Sequence, residues 1–226
     1  MTTSARPKAP SQRTTRTTRT TRTTRTRVAS TSGTSTADAS SLAYVGSKPG
    51  GQSAGRDSDA WFTPVRYIEA ARAALGGVIE LDPFTCREAN RVVGAMRFFT
   101  AEDDAFKQSW RLPPGGPRTV FLNPPYSVGA CRRAIDKACE EFGAGSFDRA
   151  VVLVNNATET AWFQELLRHA TAVCLLDHRI SFWNADGKAV SGNTRGQAAF
   201  FLDRDGDLAP FKNAFADLGT VLRPAA

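Results

Sequence analysis

The feature that most constrains this chain is a set of short, mainly apolar runs that alternate with longer stretches of helical periodicity. The runs are VIELDP (78–83), TVFLNPPY (119–126), AVVLVNN (150–156) and AVCLL (172–176). The first helical stretch, PVRYIEAARAALGG (64–77), has proline at its start and glycine after its end. Because strands that are apolar throughout are buried on both faces, the pattern predicts a parallel sheet covered by helices.

The remaining segments complete this prediction. Further helices are expected at 85–96, 127–145 and 158–170, and a short strand is expected at RFFT (97–100). RISFWNADGKAV (179–190) has the pattern of a hairpin around Asp186-Gly187, and QAAFFLD (197–203) that of a final strand. We therefore predict an α/β domain with a mixed, mostly parallel sheet and an antiparallel terminal strand.

The first 55 residues differ in composition from the rest. They contain nine of the 29 Lys/Arg residues and one of the 22 Asp/Glu residues, which leaves 56–226 nearly neutral. The run SQRTTRTTRTTRTTRTR (11–27) offers almost nothing to bury, so we predict a disordered tail over 1–55 and a folded domain over 56–226. The basic tail has two readings, a nonspecific phosphate-binding arm or a repeat with no role, and both stay open.

Cysteine and hydropathy patterns narrow the class of protein. Four cysteines (Cys86, Cys131, Cys139 and Cys174) show neither CxxC spacing nor the histidine spacing of a zinc site, so we expect reduced, mostly buried thiols and no metal. No apolar run approaches the roughly 20 residues that a membrane span needs. We expect a cytoplasmic protein without a membrane partner.

Two of the predicted strands end in a polar residue followed by proline, and these are the candidate site residues. Asp82 ends VIELDP and Asn123 ends the strand part of TVFLNPPY. Ligands of such sheets bind beyond the carboxyl ends of the strands. Pro124 and Pro125 make the backbone rigid and rich in acceptors, which suits a site for a planar amino group, and Tyr126 adds an aromatic face. The alternative is a polyproline turn with Tyr126 as surface packing.

Asn-Pro-Pro-Tyr resembles the (D/N/S)-P-P-(Y/F/W) catalytic motif of amino-group methyltransferases that use S-adenosylmethionine (AdoMet). The wider pattern resembles the phage-type DNA N-6-adenine methyltransferases, often called phage Dam. It covers roughly 59–203 and consists of WFTP (61–64), ELDPF (80–84) with Asn90, TAEDD (100–104) with Trp110, FLNPPYS (121–127), VVLV (151–154), TETAWF (158–163), RISF (179–182) and GNTRGQ (192–197).

This resemblance implies a fold and a reaction. The fold is the Rossmann-like AdoMet-dependent methyltransferase fold, whose seven-stranded mixed sheet has an antiparallel last strand. The reaction is methyl transfer from AdoMet to the N6 amino group of an adenine flipped out of double-stranded DNA. The Asn123 side-chain oxygen and the Pro124 carbonyl would accept the two amino hydrogens, and Tyr126 would stack on the base.

The resemblance also implies cofactor contacts. Asp82 would hold the methionine amino group or the ribose, while Trp61, Thr63 and Pro64 would border the AdoMet pocket. Asp103 would accept a hydrogen bond from the adenine amino group of AdoMet, and its neighbour Asp104 competes for that role. The sequence after Asp82 reads DPFTCREAN and lacks the GxG of many methyltransferases.

Positively charged residues near the terminal strands are the candidate DNA contacts. Arg179, Lys188 and Arg195 would bind phosphates, or else are ordinary solvated cations. Trp162 and Trp183 are expected to be packing residues.

Other methyl-acceptor substrates, and a protein that binds nucleic acid without catalysis, stay open as alternatives. A cytosine N4 amino group on DNA and an adenine of RNA suit the same motif, and a nucleic-acid-binding protein that has lost catalysis is the non-enzymatic alternative. Glutamine methyltransferases normally carry a glycine-rich first loop that is missing here. Cytosine C5 chemistry is discarded because no cysteine follows a proline.

Overall fold

Nine strands and five helices make up the part of the chain that the computed structural model describes, residues 42–45, 61–127, 129–182 and 193–225. The strands are β1 (Leu42–Val45), β2 (Trp61–Pro64), β3 (Leu81–Asp82), β4 (Arg97–Phe98), β5 (Thr119–Leu122), β6 (Arg149–Asn155), β7 (Ala172–Leu176), β8 (Gln197–Asp203) and β9 (Gly219–Leu222). The helices are α1 (Val65–Ala74), α2 (Arg87–Val93), α3 (Ala130–Gly143), α4 (Ala161–His169) and α5 (Ala209–Phe215).

Seven of the strands form one sheet in the order β4-β3-β5-β6-β8-β7-β9. The four strands from β4 to β6 are parallel to one another. Strand β8 lies between β6 and β7 and is antiparallel to both, and β9 pairs antiparallel with β7. The predicted α/β fold with a mixed, mostly parallel sheet and an antiparallel terminal strand is confirmed.

Both faces of this sheet are buried, and successive residues of a strand point to opposite faces. On β6, Val152 and Val154 belong to a core cluster that includes residues of α3 and α4. Val151 and Leu153 belong to a second cluster that includes residues of α1 and α5. Burial on both faces explains why the interior positions of the central strands are apolar.

Local signals in the sequence fix several helix boundaries. Thr160 caps α4 by accepting a hydrogen bond at Oγ1 from the Phe163 N–H, and Cys86 caps α2 through its sulfur. Gly94 directly follows α2 as its C-cap and has a φ of 61°, a conformation that glycine adopts without a steric penalty.

The structure differs from the sequence prediction at three places. Helix α5 and strand β9 lie in the last twenty or so residues, for which no element was predicted. The first arm of the predicted hairpin, residues 179–182, is not a strand, and its Asp186-Gly187 turn lies outside the described residues. Strand β1 lies inside the segment 1–55, which was expected to be a disordered tail, and it pairs with β2 of the folded domain. Residues 42–45 therefore depart from that expectation.

The cysteines agree with the sequence analysis. All four cysteines are free thiols; Cys131, Cys139 and Cys174 are buried and Cys86 is half-buried. Within the described ranges, no helix is both long and apolar enough to cross a membrane.

Candidate active site

Asp82 and Asn123 lie at the same edge of the sheet on neighbouring strands. Asp82 is the last residue of β3, and Asn123 directly follows β5, which pairs in parallel with β3. Both side chains belong to residues that are only 2% exposed. The geometry therefore brings together the two residues that the sequence placed at strand ends.

The Asn123 amide lies between two hydroxyl groups. Its Nδ2 donates a hydrogen bond to Thr63 Oγ1 over 2.8 Å, and its Oδ1 accepts one from the Tyr126 hydroxyl over 2.8 Å. The Tyr126 hydroxyl is also 3.3 Å from the carbonyl oxygen of Leu153 on β6. These contacts join β2, the end of β5 and β6 at one point.

The prolines and Tyr126 complete the motif. Pro124 is buried and Pro125 is half-buried, and neither has an N–H to donate. Burial raises the pKa of Tyr126 well above its ordinary value of 10, so its hydroxyl keeps its hydrogen at neutral pH. Tyr126 is therefore a hydrogen-bond donor toward Asn123 as well as an aromatic surface.

Asp82 is a buried carboxyl group without a cationic partner among the described residues. Its Oδ1 accepts a hydrogen bond from the Phe84 N–H over 3.1 Å. Burial raises its pKa from 3.8 to about 7, against the smaller lowering that the Phe84 N–H causes. A buried carboxylate of this kind is stabilised by a cationic or hydrogen-bond-donating group of a ligand, which fits the ammonium and ribose groups of AdoMet.

The two acidic residues of TAEDD lie in the loop that follows β4. Asp103 Oδ2 accepts hydrogen bonds from the N–H and the hydroxyl of Thr100, both over 2.8 Å, and these bonds lower its pKa. Asp104 pairs with Lys107 over 2.9 Å, and that contact lowers its pKa. Both carboxylates are therefore ionised and already have local partners, and the loop follows the strand adjacent to Asp82.

Arg179 and Arg195 lie on two segments that Gln197 connects. Gln197 is 2% exposed, and its Oε1 accepts a hydrogen bond from the Ile180 N–H over 3.1 Å. Its Nε2 donates to the Arg195 carbonyl over 2.9 Å and to Asn155 Oδ1 over 3.2 Å. Both arginines are exposed beside the edge of the sheet where β6 ends, whereas Lys188 lies outside the described residues.

Gln197 is a buried polar residue at this edge of the sheet that the sequence analysis did not single out. The available signal was a polar residue directly before the apolar run AAFFL (198–202). A glutamine at that position can satisfy donors and acceptors of neighbouring loops that the strand ladder does not reach.

Other parts of the sequence pattern have structural roles. Asn90 closes the end of α2 through hydrogen bonds to both the N–H and the carbonyl of Ala95. Trp110 is fully buried, and its Nε1 donates to the Ala105 carbonyl over 3.0 Å. Trp162 packs partly buried against the core, as predicted, whereas Trp183 lies outside the described residues.

The WFTP segment lies beside Asn123. It forms β2, with Thr63 fully buried and Pro64 at the N-terminus of α1. Trp61 is the first residue of the strand. Three of the residues predicted to border a cofactor are thus consecutive or nearly so on one strand that contacts the candidate catalytic residue.

Comparison with known proteins gives one match. A family model described as "DNA N-6-adenine-methyltransferase (Dam)" matches residues 51–221, which is more than half of the chain and includes β2 to β8 with all the candidate site residues. A search of curated proteins found no match.

Proposed function

The chain belongs to the DNA N-6-adenine-methyltransferase (Dam) family, and from this membership we propose that it transfers a methyl group from AdoMet to the N6 amino group of adenine in double-stranded DNA. The observation that supports this most strongly is the buried Asn123 amide. It lies at the carboxyl ends of the parallel strands, between Thr63 and Tyr126 and directly after the strand that pairs with β3.

The residues of the motif would act on the target base. The adenine has to leave the helix, because its amino group is inaccessible inside a stacked duplex. Asn123 Oδ1 and the Pro124 carbonyl would accept the two amino hydrogens and turn the nitrogen lone pair toward the methyl group. Tyr126 would stack on the flipped ring, a contact worth about 1–3 kcal/mol. The two prolines keep the acceptors fixed, so that positioning is the main contribution of the protein to the rate.

The proposed cofactor contacts use residues next to Asn123. When bound, AdoMet supplies a sulfonium methyl group as the electrophile. Asp82 would hold its amino group or its ribose, and a cation there would offset the burial of the carboxylate. Trp61, Thr63 and Pro64 would border the pocket, and Asp103 would accept from the adenine amino group of the cofactor.

Three cations in the C-terminal part of the chain are the proposed DNA contacts. Arg179 and Arg195 are exposed. Gln197 bonds the backbone of Ile180, the neighbour of Arg179, and the backbone of Arg195, and both arginines would bind phosphates near the target base together with Lys188. We propose that 56–226 is the catalytic domain and that the basic segment 1–55 adds electrostatic affinity for DNA.

Nucleoside analysis of a methyl-transfer reaction tests this function. The full chain is incubated with AdoMet and unmethylated double-stranded DNA, or with RNA of the same sequence, and the products are digested and separated. We expect N6-methyladenine from the DNA. N4-methylcytosine, or methylation of the RNA alone, would give the enzyme another substrate. DNA binding without any transfer would mean a protein that has lost catalysis.

A further inference from the structure

We propose that Thr63 is a positioning residue of the methyl-transfer site, which holds the Asn123 amide in the orientation that presents Oδ1 to the target amino group. This inference rests on the proposed function. It gives Thr63 a role beyond the border of a cofactor pocket, because its hydroxyl contacts the residue that would bind the base.

The geometry places Thr63 and Asn123 in an enclosed setting. Thr63 is 0% exposed and Asn123 is 2% exposed, and the two side chains are joined by the 2.8 Å bond between Oγ1 and Nδ2. The residues are 60 positions apart, so the bond is a tertiary contact between β2 and the end of β5. Water cannot easily replace a partner at such a depth.

An asparagine side chain needs such a partner because its two ends differ. Rotation of the terminal amide by 180° exchanges an acceptor oxygen for a donor nitrogen, and only the oxygen can accept a hydrogen bond from an amino group. Thr63 holds the nitrogen end, and Tyr126 donates to the oxygen end. Since an amide oxygen has two lone pairs, Oδ1 can accept from Tyr126 and from the target base together.

Tyr126 has an alternative acceptor, which makes Thr63 the steadier of the two contacts. The hydroxyl has one hydrogen, and this hydrogen can point to Asn123 Oδ1 at 2.8 Å or to the Leu153 carbonyl at 3.3 Å. When a base amino group occupies part of Oδ1, the Tyr126 hydrogen can turn to Leu153. The Thr63 contact is not displaced by this exchange, because it involves the opposite end of the amide.

Replacing the hydroxyl by a methyl group tests the proposal. Thr63→Val keeps the shape of the side chain but leaves the buried Asn123 Nδ2 without its acceptor. We expect kcat to fall by about tenfold or more. A buried N–H donor without an acceptor raises the free energy of this amide orientation, so the Asn123 side chain would leave it. The KM and Kd for AdoMet should stay within about threefold of the wild-type values, and Thr63→Ser, which restores the hydroxyl, should recover most of kcat.

Thr119→Val is the matched control. Thr119 is also 0% exposed, and its hydroxyl bonds the Val78 carbonyl over 2.7 Å and the Glu80 N–H over 3.2 Å at the other end of β5. This variant loses a buried hydroxyl without touching Asn123, so its stability should fall while its kcat stays close to that of the wild type.

NMR of the cofactor-free protein supplies a readout that does not depend on activity. The side-chain NH2 resonances of Asn123, assigned by their loss in Asn123→Ala, should exchange slowly in the wild type and in Thr119→Val. In Thr63→Val they should shift and exchange faster.

Two results would overturn the proposal. One is a Thr63→Val protein whose kcat and Asn123 resonances match those of Thr119→Val, and the other is a loss confined to AdoMet affinity, which would leave Thr63 a pocket residue only. A wild-type protein that transfers no methyl group contradicts the proposed function instead, and the NMR comparison then decides whether Thr63 holds the amide.

Discussion

At the scale of single residues, the two buried polar side chains at the sheet edge face different physical problems. Asn123 is neutral, and each end of its amide has a hydrogen-bonding partner. Asp82 is ionisable, equally buried, and has no cationic partner among the described residues. The hydrogen bonds of Asn123 hold its side chain in one orientation. The buried carboxyl group of Asp82 instead leaves a charge that a ligand can stabilise.

The raised pKa of Asp82 predicts how stability depends on pH. In the unfolded chain this carboxyl ionises near pH 3.8, but in the folded protein it keeps its proton until about pH 7. The folded state therefore binds more protons between these values, and the contribution of Asp82 to the free energy of unfolding falls as pH rises through this window and is constant above it. The side chain of Asp82→Asn does not titrate. The difference in free energy of unfolding between this variant and the wild type should therefore grow in favour of the variant as pH rises, by as much as about 4 kcal/mol at pH 8.

Urea unfolding of both proteins at pH 5, 6, 7 and 8 measures this difference. AdoMet should reduce it above pH 7, because a bound cation offsets the buried charge. A difference that is independent of pH would mean that Asp82 ionises near its ordinary value in the folded protein.

The sequence allowed the position of these residues to be predicted, but not their contacts. Asp82 and Asn123 each follow an apolar run and precede a proline, and strand ends in a parallel sheet meet at one edge. The bond from Thr63 to Asn123 joins residues 60 positions apart, and no local periodicity encodes such a pairing. The same applies to Gln197, which bonds Ile180 and Asn155 in two other segments of the chain.

At the scale of elements, prediction succeeded where a segment is long or strongly apolar and failed where tertiary contacts define it. Strands β7 and β8 have the predicted bounds. Helix α5 has only seven residues, and its sequence signal is limited to Pro210 in the first turn and two phenylalanines one turn apart. Isolated helices of this length are unstable, so α5 depends on the sheet that it covers.

Phe211→Ala tests that dependence. Phe211 is fully buried and stacks on Phe201 of β8, with ring centroids 5.2 Å apart, and on Phe215 at 4.3 Å. We expect a loss of about 3–5 kcal/mol in the free energy of unfolding, because the substitution leaves a cavity under α5. Chemical denaturation followed by circular dichroism measures it.

Leu222→Ala is the control for this substitution. Leu222 is an apolar residue of the neighbouring strand β9 but is 46% exposed, so its loss should cost much less than that of Phe211. Equal effects of the two substitutions would mean that α5 does not seal the core.

At the scale of the whole molecule, charge separates the chain into two parts. Residues 1–41, which precede β1, contain eight of the 29 Lys/Arg residues (Arg6, Lys8, Arg13, Arg16, Arg19, Arg22, Arg25 and Arg27) and one acid, Asp38. Each cation that neutralises a phosphate makes the salt dependence of DNA binding steeper, by about 0.9 in the slope of log K against the logarithm of the salt concentration. The expectation that this segment binds DNA therefore rests on its amino-acid composition and not on the fold.

Deletion of residues 1–41 should therefore flatten the salt dependence of DNA binding by at least about two in that slope. Fluorescence anisotropy between low and physiological salt measures it, and a full-length variant with the same eight cations changed to Gln controls for chain length. An unchanged slope would favour the other reading, in which the TTR repeat has no role in DNA binding.

Substitution of Asn123 tests the central claim most directly, since the proposed reaction depends on its oxygen at the base. Methyl transfer to adenine of double-stranded DNA and AdoMet binding by calorimetry are measured for the wild type, Asn123→Ala and Asn155→Ala. Asn155 ends the neighbouring strand β6, but its side chain contacts Gln197 rather than Thr63 or Tyr126. We predict that Asn123→Ala loses transfer by about a hundredfold or more and still binds AdoMet, whereas Asn155→Ala keeps most of its activity. An Asn123→Ala protein that methylates adenine at the wild-type rate would contradict the account.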